Sequence, residues 1–127
     1  MPPAFEAKKK ILVIMTGGTI AMKDSANLGI VPTSEFAEFL RSFPQLNSVA
    51  EVDIVEYSNI PSPYMTPQKM FDLAKYIDSR IVDYDGAVLT HGTDTLEETA
   101  YLCDLTLTTR KPVVFTAAMR SGSDLGL

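Results

Sequence analysis

The chain has 127 residues, 46% hydrophobic and 21% charged, the proportions of one globular domain with an ordinary core. A formal net charge of −5 and a pI of about 4.7 argue against the phosphate backbone of nucleic acid as a partner. The single cysteine, Cys103, leaves no internal disulfide and too few thiols for a zinc cluster, and its place in an apolar helical pattern predicts a buried structural residue.

Met1-Pro2-Pro3-Ala4-Phe5-Glu6-Ala7 lacks the basic-then-apolar order of a signal peptide. The apolar run that follows is too short to span a bilayer, so a cytoplasmic protein is expected. Lys8-Lys9-Lys10 reads as a solvated flank, with residues 1–10 outside a single domain of residues 11–127. Ile11–Met15 is wholly apolar and predicts a strand buried on both faces. It runs into Thr16-Gly17-Gly18-Thr19, where glycines permit a sharp turn and close approach to main-chain N–H groups. The flanking hydroxyls fit either a capped tight turn or a nucleophile beside oxyanion donors.

Met22–Val31 is polar and reads as a mobile loop. Pro32-Thr33-Ser34 starts a helix with Glu35 and Glu38 near its positive end and Phe36, Phe39, Leu40 and Phe43 at helical spacing; Pro44 ends it. Val52–Tyr57 is the second predicted strand, stopping at the proline-stiffened loop Ser58–Pro63. Thr66-Pro67 opens a helix with an apolar stripe of Met70, Phe71, Ala74, Ile77 and Ile81. Tyr84-Asp85-Gly86 turns the chain into a third strand, Ala87–Thr90. His91-Gly92-Thr93-Asp94-Thr95 follows, and then a helix with Glu97 and Glu98 in its first turn and Leu96, Ala100, Cys103 and Leu107 on one face. Lys111-Pro112 breaks to a fourth strand, Val113–Thr116.

The order βαβαβαβ predicts an α/β fold: an open parallel sheet with helices on both faces, a Rossmann- or flavodoxin-like three-layer arrangement. Such sheets bind ligands beyond the carboxyl ends of their strands. The loops Thr16–Thr19, Ser58–Ser62, Thr90–Thr95 and Ala117–Ser123 should therefore meet at one edge. Thr93-Asp94 reads as a capped turn or, beside Thr19, as part of an acyl-transfer site in which a threonine attacks a carbonyl. His91 is the only histidine and a candidate base, though its place directly after a strand favours a structural role. No cluster of His, Cys, Asp and Glu has metal-ligand spacing. A nucleotide-binding sheet is disfavoured by the acidic charge and by the lack of a Walker lysine.

Thr16-Gly17-Gly18-Thr19-Ile20-Ala21 and His91-Gly92-Thr93-Asp94-Thr95-Leu96-Glu97-Glu98-Thr99-Ala100 resemble the two signature segments of the bacterial-type L-asparaginases. Lys111–Arg120 is similar to a third family segment, and the resemblance runs from Lys10 onward. It implies that Thr19 attacks the side-chain amide of asparagine, giving aspartate and ammonia through an acyl-enzyme without any cofactor. It further implies that Thr93 and Asp94 form the second catalytic pair, that Asp94 also holds the substrate α-amino group, and that Ser62 binds the α-carboxylate. Gly18, Gly92 and Ala118 would line the substrate with backbone.

The family carries a tyrosine in the loop after the first threonine, whereas this chain has none before Tyr57, the nearest position being near Ile30. Pro63 stands where many relatives have a polar residue. The family's N-terminal domain also continues past the point matching Leu127, with a lysine that completes the Thr93–Asp94 group, and adds a C-terminal domain. The resemblance thus implies the first part of a larger, homo-oligomeric enzyme, active only when complete. The alternatives are the asparaginase-like subunit of a tRNA-dependent amidotransferase and a non-catalytic amino-acid-binding fragment.

Overall fold

The computed structural model describes residues 7–18, 22–25, 29–32 and 44–119, with only the backbone considered at 22–25 and 29–32. Strand β1, Lys9–Met15, runs parallel to two neighbours. On one side lies β4, Ala50–Glu56, and on the other β5, Gly86–Thr90. Strand β6, Val113–Thr116, pairs in parallel with the far side of β5, giving the order β4-β1-β5-β6. The open, all-parallel α/β sheet expected from the sequence is present.

The unbroken apolar run of β1 follows from its central position, where both faces are covered. Leu12 and Ile14 are fully buried against Leu73, Ala74 and Ile77 of helix α2, Pro67–Arg80, and Cys103 of helix α3, Leu96–Thr106. Val13 and Met15 face the other way, among Val52, Ile54 and Val88. Both longer described helices pack on the Leu12 face. The helix expected to begin near Thr33 lies outside the described residues.

Helix α2 starts as predicted: the Thr66 side chain accepts a hydrogen bond from the Lys69 N–H at 3.2 Å, and Pro67 occupies the first turn. At the C-terminal end of α3, the Asp78 carboxylate accepts the N–H groups of Thr108 and Thr109. Lys111 Nζ donates to the carbonyls of Ile81 and Val82, which ties the approach to β6 against the end of α2.

Some expectations need correction. Strand β1 begins at Lys9, because the backbones of Lys9 and Lys10 pair with Ala50 and Glu51 while their side chains stay solvated. The stretch read as a loop contains β2, Met22–Ser25, and β3, Gly29–Pro32, an antiparallel pair apart from the main sheet. Main-chain pairing makes such a ribbon without apolar alternation. Where the helix expected to end at Pro44 stops lies outside the described residues; Pro44 itself opens a short helix that was not expected, α1 (Pro44–Val49), its missing N–H costing nothing at a first position. Phe71 is exposed, lying under Lys75 Nζ at 4.5 Å from the ring centroid, and Leu73 takes its place in the core. Leu73 is spaced three residues from Met70 and four from Ile77, which puts it on their face. Ile81 is buried, but in a 3-10 turn beyond the helix.

Candidate active site

The registers bring Met15 level with Glu56 on one side and Thr90 on the other, so the chain leaves β1, β4 and β5 at one height. Thr16 continues the ladder for one residue: its N–H and its hydroxyl both donate to the Thr90 carbonyl, at 3.1 and 2.7 Å. Its own carbonyl accepts the Ile60 N–H and the Ser58 hydroxyl, each at 2.9 Å. The first turn is thereby bonded to the loops after both neighbouring strands.

Gly17 and Gly18 have φ of +121° and +90°, a region that side chains rarely enter. Space enforces glycine as well as conformation. A Cβ on Gly18 would lie 2.5 Å from the Gly92 nitrogen and 2.6 Å from its Cα. A Cβ on Gly92 would lie 2.5 Å from Ser62 Oγ. Backbone meets backbone here, and Gly18, Gly92 and Ser62 form one contiguous stack.

Ser62 is buried at the start of a 3-10 turn, Ser62–Tyr64. Its Oγ accepts the Asp94 N–H at 3.1 Å, and its carbonyl accepts the Thr95 hydroxyl at 2.9 Å. Oγ is an acceptor in the first bond, and among the described residues its own proton has no acceptor, so it can meet an anionic group. Thr93 and Asp94 are exposed at the mouth of this loop. Asp94 is not the helix cap: Thr95 holds that position, and its hydroxyl serves Ser62 instead. The fourth loop joins through the His91 N–H, which donates to Thr116 O at 3.0 Å, and Ala118 follows half-buried.

The structure thus brings together Gly18, Ser62, Gly92, Thr93 and Asp94, with Ala118 on the adjoining loop. Thr19 lies outside the described residues, as do residues 120–123 of the fourth loop. His91 is no available base, because it is completely buried with both ring nitrogens engaged. Cys103 is no nucleophile either. Burial, reinforced by the Asp78 carboxylate, pushes its thiol up to about 11. Sequence reasoning missed Thr95 and Thr99, whose hydroxyls tie the loop to its surroundings. The available signal was Thr99 itself, one turn before Cys103 on the buried face of α3.

A hydroxyl able to donate and an exposed carboxylate, linked through one main-chain N–H, can receive a carboxylate and an ammonium group side by side. No helix among the described residues is long and apolar enough to cross a membrane.

The family described as Asparaginase, N-terminal, matches residues 10–126. The L-asparaginase of Bacillus licheniformis is 41% identical over 124 residues, covering 93% of this chain and 37% of that protein. A glutamyl-tRNA(Gln) amidotransferase subunit of Archaeoglobus fulgidus is 38% identical over 118 residues, covering 91% of this chain and 28% of that protein. Among solved structures, L-asparaginase I from Vibrio cholerae superposes with a TM-score of 0.83 at 32% identity, over 94% of this chain and 37% of that one. The chain therefore spans little more than a third of the length of these asparaginases.

Proposed function

The chain belongs to the asparaginase family, and from that premise we propose that it carries part of the active site of an L-asparaginase-type amidohydrolase. In this reading Thr19 Oγ attacks the side-chain amide carbon of L-asparagine and its proton passes to the departing nitrogen. The C–N bond breaks, ammonia leaves, and water then cleaves the threonyl ester to release L-aspartate. Thr93 and Asp94 assist from the second signature loop, which follows β5. Asp94 also pairs with the substrate ammonium, and the free proton of Ser62 meets its α-carboxylate. Gly18, Gly92 and Ala118 offer main chain to the substrate, and no cofactor takes part.

The observation that carries this reading is the stack of Gly18 on Gly92 on Ser62, which leaves no room for a side chain between the two signature loops. Turnover is assigned to the complete protein, a cytoplasmic homo-oligomer whose domain containing residues 11–127 is joined by a C-terminal domain. Ammonia release from L-asparagine by the full product of the gene tests the assignment. Thr19→Val should abolish it while leaving the circular dichroism spectrum unchanged, and Asp94→Ala should raise KM as well as lower kcat. Undiminished turnover in Thr19→Val would place the nucleophile elsewhere.

The similarity to the Archaeoglobus fulgidus protein favours a second reading, a component of a tRNA-dependent amidotransferase. Ammonia release that depends on an added aminoacyl-tRNA would support it. Asparagine binding without turnover, under either condition, would instead indicate a non-catalytic binding module.

A further inference from the structure

We propose that His91 is a positioning residue for the Thr93–Asp94 pair, bracing the loop that presents them at both of its ends. The inference rests on the reading of that pair as part of the site. The imidazole is fully buried, and every direction around it is occupied. Nδ1 is 2.7 Å from the carbonyl oxygen of Gly92. Nε2 is 2.9 Å from Thr99 Oγ1, one turn into α3. The Phe115 ring flanks it at 6.3 Å between centroids, and its own N–H is held by Thr116.

A carbonyl oxygen can only accept, so Nδ1 carries a proton. The Thr99 hydroxyl has one proton and two acceptors in reach, Nε2 at 2.9 Å and the Thr95 carbonyl at 3.1 Å; in the neutral ring Nε2 is bare, and as the nearer acceptor it takes that proton. The Thr99 N–H meanwhile donates to the Thr95 carbonyl at 3.1 Å, closing the first turn of the helix. One side chain therefore grips the entry of the loop at Gly92 directly, and its exit at Thr95 through Thr99.

This grip matters because Gly92 has no side chain to restrict its backbone. Its close neighbours, Gly18 and Ser62, fix where its Cα lies but not how the following peptide is turned. The bond to His91 selects one orientation. In a trans peptide the C=O and the next N–H point in opposite directions. Drawing the Gly92 carbonyl inward to the imidazole therefore turns the Thr93 N–H outward, toward the exposed side of the loop that bears Thr93 and Asp94.

The test begins with the ring itself. In the chain at neutral pH, long-range 15N–1H correlation of the imidazole should show a protonated Nδ1 and a bare Nε2; the opposite tautomer overturns the proposal. Three variants follow in the full product of the gene. His91→Asn keeps an amide donor near the place of Nδ1, His91→Gln reaches only toward Thr99, and Thr99→Val removes the second anchor.

His91→Gln should lower kcat/KM for L-asparagine by roughly tenfold to a hundredfold, the scale of a small misplacement of catalytic groups. His91→Asn should recover most of that loss, and Thr99→Val should lie between them. Equal thermal destabilisation in all three with unchanged kcat/KM would show a merely structural histidine. Should the wild type release no ammonia, the amidohydrolase reading falls. The brace is then decided by the amide resonances of Thr93 and Asp94, which should shift in His91→Gln and return in His91→Asn. Unmoved resonances in His91→Gln would refute it.

Discussion

Substituting Gly92 by alanine probes the contact on which the site depends. The added Cβ would lie 2.5 Å from Ser62 Oγ, 2.6 Å from Ser62 Cβ and 3.1 Å from Ser62 N. Carbon atoms at rest approach to about 3.5–4.0 Å, so the overlap is roughly 1 Å. Ser62 is 3% exposed, and the Asp94 N–H holds its hydroxyl, so the side chain cannot swing aside without giving up that bond. Overpacking of this kind costs about 1–3 kcal/mol.

Ser62→Gly removes both of the most crowded atoms. Alone it should cost about 0.5–1.5 kcal/mol for the lost hydrogen bond to Asp94. The double variant should then be little worse than Ser62→Gly, which makes the two changes non-additive by at least about 1 kcal/mol. Urea unfolding followed by circular dichroism reads this directly. With a slope of about 2 kcal/mol per molar, Gly92→Ala should lower the midpoint by roughly 0.5–1.5 M, and the double variant should restore most of that relative to additivity. Additivity within about 0.5 kcal/mol would mean that the second signature loop does not press on Ser62.

Cys103 ionises at about 11 in the folded chain against 9.0 for a free thiol. A raised value means that the stability it supports is complete below about pH 9 and is lost as pH climbs toward 11, with a slope of about 1.4 kcal/mol per pH unit. Urea midpoints measured across that range should fall less steeply in Cys103→Ala, and identical slopes would remove the thiol from the account. Thr66→Ala should cost about 1 kcal/mol through the lost cap of α2, while Thr66→Ser should cost little. An unchanged melting temperature in Thr66→Ala would show that Pro67 alone sets the start of the helix.

The sheet was legible because its strands are short apolar runs with few other uses. Val113–Thr116 was located to the residue and Ala87–Thr90 to within one. The cap of α2 was equally plain, since Thr66-Pro67 combines a hydroxyl acceptor with a residue that suits a first turn. Pairings that leave no mark on side-chain pattern were not legible. The β2–β3 ribbon is made by backbone bonds between a largely polar segment and a four-residue one, Gly29–Pro32, with no alternation to mark it, and Lys9 and Lys10 extend β1 while staying in water. Phe71 misled for a related reason: hydrophobicity favoured it, whereas helical spacing from Met70 and Ile77 selects Leu73. At the site, the spacing of glycines and hydroxyls marked the loops, but not the service of Thr95 and Thr99. Their roles depend on Ser62 and His91, 33 and 8 residues away respectively.

The strand order explains why two separated glycine turns meet. The chain passes from β1 to β4 on one side and returns to β5 on the other, so β1 and β5 flank the point where the winding reverses. In open parallel sheets that is where a crevice forms beyond the carboxyl ends. Because Met15 is level with Thr90, the glycines that follow each strand start at the same height, with only one inter-strand spacing of about 4.8 Å to close. Were another strand between them, the separation would double and Gly18 could not reach the backbone of Gly92. The absence of side chains then does the rest, since any Cβ at Gly18 would meet main chain that has no rotamer to yield. Adjacency of β1 and β5 is thus the physical condition for the site, and the two sequence signatures have meaning only together.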